Sequence, residues 1–189
     1  FLATAGYAQY GVDLTQSFKL KANVRFENNS IKYEGTSQGL NDDWENIELP
    51  LIHFDIDHSM LGYRASLHYL KDEFTSYYGS ISQGYKSGGV NQHPYLTDAS
   101  RPYDPEFIRN SEVGLKRTTK KYQTQLSAFY SLRKDQQVSV SSQQKEGDPN
   151  SFLFYTANAG SGSVQGFEWE NLLNVSSNLS MDASLGYLK

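Results

Sequence analysis

The 189-residue chain has no cysteine. That excludes a small secreted domain held by disulfides, a cysteine nucleophile and a zinc–thiolate centre. It also lacks any apolar run near the roughly 18 residues that a membrane-spanning helix needs, and its mean hydropathy is −0.62. A β-barrel escapes that exclusion, because only every second residue of its strands has to be apolar. Charge of one sign is lacking too: 17 Lys and Arg stand against 21 Asp and Glu, which leaves no electrostatic footprint for nucleic acid. The opening FLATAGYAQYGVDL has no Met, basic n-region or cleavage site. Both this segment and the closing MDASLGYLK read as strands cut from a longer protein.

Aromatic residues are plentiful, 14 of them tyrosine, a side chain with an apolar body and a polar tip that suits strands and membrane interfaces. Helical periodicity is nearly absent and alternation of period two is widespread. Phe18, Leu20, Ala22, Val24 and Phe26 alternate with Lys19, Lys21, Asn23, Arg25 and Glu27. The same holds from Leu61 to Leu70, from Tyr122 to Arg133 and from Leu179 to Tyr187, and more weakly at Phe1–Tyr10, Thr75–Lys86, Arg109–Arg117 and Val164–Leu173. Successive side chains of a strand point to opposite faces, so each segment has one apolar and one polar face. The pattern predicts an all-β, antiparallel up-and-down meander of about eight strands near ten residues long, the length that crosses a bilayer at a tilt.

The connections alternate as well. DLTQS, LKDEF, RTTKK and NVSSN are short and polar; residues 28–50, 88–106 and 141–163 are long. Alternation places every long loop at one end, as in outer-membrane barrels with short periplasmic turns and long extracellular loops. Tyr10, Tyr63, Tyr69, Tyr77, Tyr85, Tyr122, Tyr130 and Tyr187 fall at or near strand ends, as an interfacial girdle would. A secreted β-sandwich also alternates apolar and polar faces; it differs in burying the apolar faces against each other.

Few motifs point to chemistry. In HFDIDH, alternation places His53, Asp55 and Asp57 on one face and His58 on the other. Three such ligands can hold a divalent ion, but the plainer reading is the polar, lumen-facing start of a strand. GYKSGG is not a phosphate-binding loop, since GxxxxGK[ST] is absent and no helix follows. Its glycines are expected to allow a bulge and a positive-φ turn. No nucleophile elbow marks a catalytic triad; a barrel-type membrane hydrolase would have to use His58, Ser59 or His68.

SISQGYKSGGVN, followed in order by YDPEFIRNSEVGLK, LSAFYSLRKDQQ, TANAGSGSVQGFEWE and LSMDASLGYLK, resembles the barrel of TonB-dependent outer-membrane receptors over residues 77–189. Residues 1–76 fit the same barrel less distinctively. The resemblance implies a 22-stranded barrel around an N-terminal plug, in the outer membrane of a Gram-negative bacterium. It implies uptake of an iron–siderophore complex, haem, cobalamin or oligosaccharide, powered through the TonB complex. Residues 1–189 would then be a fragment of the barrel domain, without plug, TonB box, signal peptide or final strands. It would be no enzyme, with no cofactor, lipid around it and a small extracellular ligand such as a metal chelate.

Candidate ligand contacts lie in the long loops: Trp44 beside Asp42, Asp43 and Glu45, and His93, Tyr95, Arg101 and Tyr103. Exposed aromatics beside a guanidinium can stack on a catecholate, a haem edge or a sugar ring. The alternative is a soluble secreted β-domain binding carbohydrate or protein. Eight strands cut from a larger barrel leave two unpaired edges, so the piece is expected to close on itself or to pair edge to edge.

Overall fold

The structure, a computed structural model, describes residues 1–41, 45–49, 51–93, 95–143, 147 and 152–189. Its strands are β1 (Leu2–Asp13), β2 (Phe18–Gly35), β3 (Gln38–Leu40), β4 (Asn46–Glu48), β5 (Ile52–Leu70), β6 (Thr75–Lys86), β7 (Gly89–Val90), β8 (Pro102–Tyr103), β9 (Glu106–Thr118), β10 (Tyr122–Lys134), β11 (Gln137–Gln143), β12 (Phe152–Asn158), β13 (Gly162–Ser176) and β14 (Leu179–Leu188). Eight of them form one antiparallel sheet in the order β1-β2-β5-β6-β9-β10-β13-β14. This is the all-β meander that the alternation predicts.

The four short turns close through side chains that cap their own backbone. Thr15 Oγ1 accepts from the amides of Ser17 and Phe18 at 3.2 and 3.0 Å. Asp72 Oδ1 accepts from the Phe74 amide at 2.9 Å, a bond that holds its carboxyl below the usual carboxylate range. Thr119 Oγ1 accepts from the Tyr122 amide at 3.0 Å, and Ser176 Oγ from Asn178 at 3.3 Å.

Register gathers the apolar residues onto one face. Phe18, Leu20, Ala22, Val24 and Phe26 stand opposite Tyr69, Leu67, Ala65, Tyr63 and Leu61. Leu115 and Val113 of β9 face Leu126 and Ala128 of β10, which face Trp169 and Phe167 of β13. Among the described residues nothing covers this face: Val24, Ile81 and Val113 are 44%, 53% and 62% exposed. Among the described residues only Ile52, Met60 and Leu96 are buried hydrophobics. A sandwich would pack this face on a second sheet, so the sandwich alternative fails; a continuous apolar band facing outward is what lipid requires. At the turn end Phe18, Tyr69 and Tyr77 stack in a row, with centroids 4.8 and 6.2 Å apart, as a girdle.

Tyr85 does not join that girdle. The β5–β6 ladder ends at Tyr63 and Gln83. Above it Tyr85 lies against Gly62, and its hydroxyl donates to Glu27 Oε2 at 3.1 Å and accepts from Arg25 Nε at 3.0 Å.

β2 and β5 are longer than their alternation suggests. They stay paired from Phe18 and Tyr69 to Gly35 and Ile52, so residues 28–35, expected in a loop, belong to the ladder. The apolar side changes at Asn28 and Asn29. Below, the apolar face continues Phe26 and Leu61; above, that same face carries Asn28, Ser30, Lys32, Glu34, His53, Asp55, Asp57 and Ser59. The opposite face takes over Ile31, Tyr33, Ile52, Phe54, Ile56 and Met60. A strand leaving lipid for water has to reverse in this way. His53, Asp55 and Asp57 therefore sit above the apolar band, not on a lumen-facing strand start as expected. Asp55 pairs with Lys32 at 2.9 Å, and no group of three metal-ligating side chains occurs among the described residues.

The sheet does not close on itself, contrary to one of the two expectations for the free edges: β1 and β14 lie at opposite ends. A closed eight-stranded barrel has an interior just wide enough for side chains. The polar face here carries Lys19, Lys21, Arg25, Arg64, Lys116, Glu168 and Glu170, charges that need water or a partner.

Candidate functional site at the loop end

Each long connection has a short ladder of its own, β3–β4, β7–β8 and β11–β12, so none is a structureless loop. The second connection begins against the upper part of β2 and β5, on the face opposite the one that carries Phe26 and Leu61. Asn29, 2% exposed, donates from Nδ2 to Ser87 Oγ at 2.9 Å, and the His58 imidazole lies against Gly88.

Close approach explains the paired glycines. A Cβ on Gly88 would collide with the Tyr103 carbonyl oxygen and with His58; one on Gly89 would collide with the Tyr103 ring and hydroxyl. The expected positive φ is not found here. Gly147 is the described glycine with positive φ, and Gly88 and Gly89 are required by contact instead. Gly88→Ala is expected to destabilise the loop by about 1–3 kcal/mol, because the obstructing carbonyl is backbone and cannot swing aside. Limited proteolysis of residues 88–106 checks it; an unchanged cleavage rate would rule this account out.

The second and third connections are tied by two asparagine side chains. Asn91 Oδ1 accepts from the Thr156 amide at 2.9 Å and Asn91 Nδ2 donates to the Thr156 carbonyl at 2.8 Å. This is the exchange a ladder residue makes with its partner. Nδ2 also reaches the carbonyls of Ser100 and Arg101 at 3.2 and 3.1 Å. Asn158 repeats the pattern on Asp104: its Oδ1 accepts from the amide at 2.7 Å and its Nδ2 donates to the carbonyl at 2.9 Å. Gln137 Nε2 donates to the carbonyls of Ser87 and Asp104 at 2.8 and 3.1 Å.

Arg101 is 3% exposed and donates to the carbonyls of His93 and Leu96 at 2.9 and 2.8 Å, with Asp98 3.4 Å from its Nε. It organises the loop from within. The chain it holds presents His93 and Tyr95, rings 6.0 Å apart and tilted by 46°. The Tyr95 amide donates to His93 Nδ1 at 3.4 Å, and the Tyr95 hydroxyl abuts Gly39 of β3. Tyr95 is 46% exposed. Tyr103 is half-buried over Gly89, and Trp44 lies outside the described residues. Thus His93, Tyr95 and Arg101 come together, with Arg101 turned inward. Sequence reasoning missed Asn91, Asn158 and Gln137; all three sit inside the SISQGYKSGGVN, TANAGSGSVQGFEWE and LSAFYSLRKDQQ strings, where their chemistry carried no signal of partners far along the chain.

The residues a hydrolase would have used are not assembled. His58 is buried under Gly88, Ser59 faces the other way and donates to Asn28 Oδ1 at 2.9 Å, and His68 stacks on Tyr78 with centroids 6.0 Å apart.

One outward apolar band, one polar face, tight turns at one end and interlocked loops at the other define a segment of an outer-membrane β-barrel. The chain belongs to the TonB-dependent receptors: the family described as TonB dependent receptor-like, beta-barrel, matches residues 2–189. No curated protein matches the sequence. Among solved structures, the chain is similar to the ferric yersiniabactin uptake receptor FyuA of Yersinia pestis at 22% identity and TM-score 0.78, covering 98% of this chain and 26% of that one. It is similar to the hemophore receptor HasR of Serratia marcescens at 12% identity and TM-score 0.71, covering 99% and 34%. For the siderophore receptor PirA of Pseudomonas aeruginosa the values are 15%, 0.69, 99% and 34%. The chain thus spans a quarter to a third of the structures it resembles.

Proposed function

We propose that residues 1–189 form part of the barrel domain of a transporter that takes up a scarce nutrient across the outer membrane, an iron–siderophore complex or similar metal chelate, driven through the TonB complex. The loop cluster is its ligand-contacting surface. The observation that carries this reading is the placement of His93 and Tyr95. Both stand on a loop pinned by buried Arg101 and tied to its neighbour, with the Tyr95 hydroxyl against Gly39 of the first connection. The uptake and siderophore receptors that share the fold support it. Tyr95 and His93 contact ligand, while Arg101 and Tyr103 hold the loop.

The test is binding of a panel of ferric chelates and haem to the complete receptor, followed by protein fluorescence. Loss of one exposed aromatic anchor in Tyr95→Ala is expected to weaken the bound chelate about tenfold, with the melting temperature unchanged. Arg101→Ala is expected to lower melting of the loop region as well as affinity. A Tyr95→Ala receptor that binds every chelate as the parent does would reject the assignment.

A further inference from the structure

The apolar face carries a cation at each end of β9, and the two are treated differently. Arg117, at the turn end, is satisfied within the protein: Nε donates to the Tyr122 hydroxyl at 2.7 Å and Nη1 to Thr75 Oγ1 at 3.1 Å, with the guanidinium 6.0 Å from the Tyr122 ring centroid. Arg109, at the loop end, has one neutral acceptor, Gln83 Oε1 at 2.7 Å. Leu132 stands opposite it on β10. Lys134 follows Leu132 on the same face, opposite Phe107. Neither Arg109 nor Lys134 forms an ion pair among the described residues.

The height of this pair follows from strand geometry. Tyr122 to Leu132 is ten steps, about 26 Å vertically at a rise near 3.4 Å and a tilt near 40°. A barrel's apolar band is about 25 Å tall. Arg109 and Lys134 thus lie on the lipid-facing side at the upper edge of the band, in the outer leaflet. There long cationic side chains run along apolar surface and lift their charge to the headgroups. With Gln83, Phe107, Leu132 and Asp135 they line a recess of about 240 Å³. The β2–β5 sector above the band offers no equivalent, since its Lys32 is paired with Asp55.

We infer that Arg109 and Lys134 form a binding site for the phosphate of an outer-leaflet glycolipid, with Phe107 and Leu132 against its acyl region. The inference rests on the barrel reading but not on any transported ligand. Asp135 tempers the charge of the recess without neutralising it, so one phosphate on two cations fits better than a polyphosphate.

The experiment is native mass spectrometry of the complete receptor reconstituted with a phosphorylated outer-leaflet glycolipid or its dephosphorylated form, with no transport ligand present. The parent is expected to retain the phosphorylated lipid preferentially. Arg109→Gln/Lys134→Gln should lose it roughly thirtyfold, while Arg109→Lys/Lys134→Arg retains it, which separates charge from folding. Lys116→Gln on the polar face should change nothing. Millimolar inorganic phosphate should not displace the lipid; displacement would mean a free-phosphate site and overturn the lipid assignment. Equal retention by the Gln variant, or equal retention of the dephosphorylated lipid, would overturn the site itself. Chelate binding by the receptor is read separately, so failure there leaves this result standing.

Discussion

Ala128→Arg is expected to destabilise the barrel in a bilayer by about 2–4 kcal/mol, the cost of an arginine at the lipid-facing midplane, whereas Gln125→Arg should change stability by less than about 0.5 kcal/mol. Both residues lie on β10. Ala128 is midway along the apolar face, between Val113 of β9 and Phe167 of β13, where lipid offers the guanidinium no hydrogen bond. Gln125 is on the polar face between Lys116 and Glu170, where a new cation meets one like and one opposite charge. Unfolding free energies of the two variants in lipid vesicles decide the matter. Equal penalties would mean that the faces do not divide lipid from lumen, and the membrane assignment would fall with them.

The same strand shows what was legible in the sequence. β10 keeps one face mainly apolar from Tyr122 to Leu132, with Phe129 the exception on its polar side, so its span and faces could be read directly. β2 could be read only to Phe26, because alternation identifies a strand by a fixed apolar face and the face changes at the water boundary. Ile31 and Tyr33 continue the side that began with Lys19, which makes one 18-residue strand look like a strand plus a loop. The HFDIDH string was placed on the wrong side for the same reason. At the loop end the candidate aromatics were found by type, but Arg101 could not be known to face inward. A guanidinium beside a tyrosine in sequence is equally suited to a ligand and to the carbonyls of its own loop. Here the carbonyls of His93 and Leu96 take it.

Asn91→Leu is expected to destabilise the joined loops by about 2–3 kcal/mol, since a buried or half-buried donor or acceptor left without its partner costs roughly 1–3 kcal/mol. The substitution removes the acceptor for the Thr156 amide and the donor shared by three carbonyls. Asn91→Asp should be no milder: it keeps the acceptor but turns a negative oxygen toward the carbonyls of Ser100, Arg101 and Thr156. The informative reporter is the amide of Asp104, which Asn91 does not touch and which donates instead to Asn158. If the asparagines tie the second and third connections into one unit, opening at Asn91 exposes Asp104 too. Its hydrogen exchange should then accelerate roughly a hundredfold, by the factor of ten per 1.4 kcal/mol. If Asp104 keeps its protection in Asn91→Leu, the two ties act separately. Tyr95 would then be carried by a loop that moves independently of β11 and β12, and the rigid platform proposed for ligand contact would be lost.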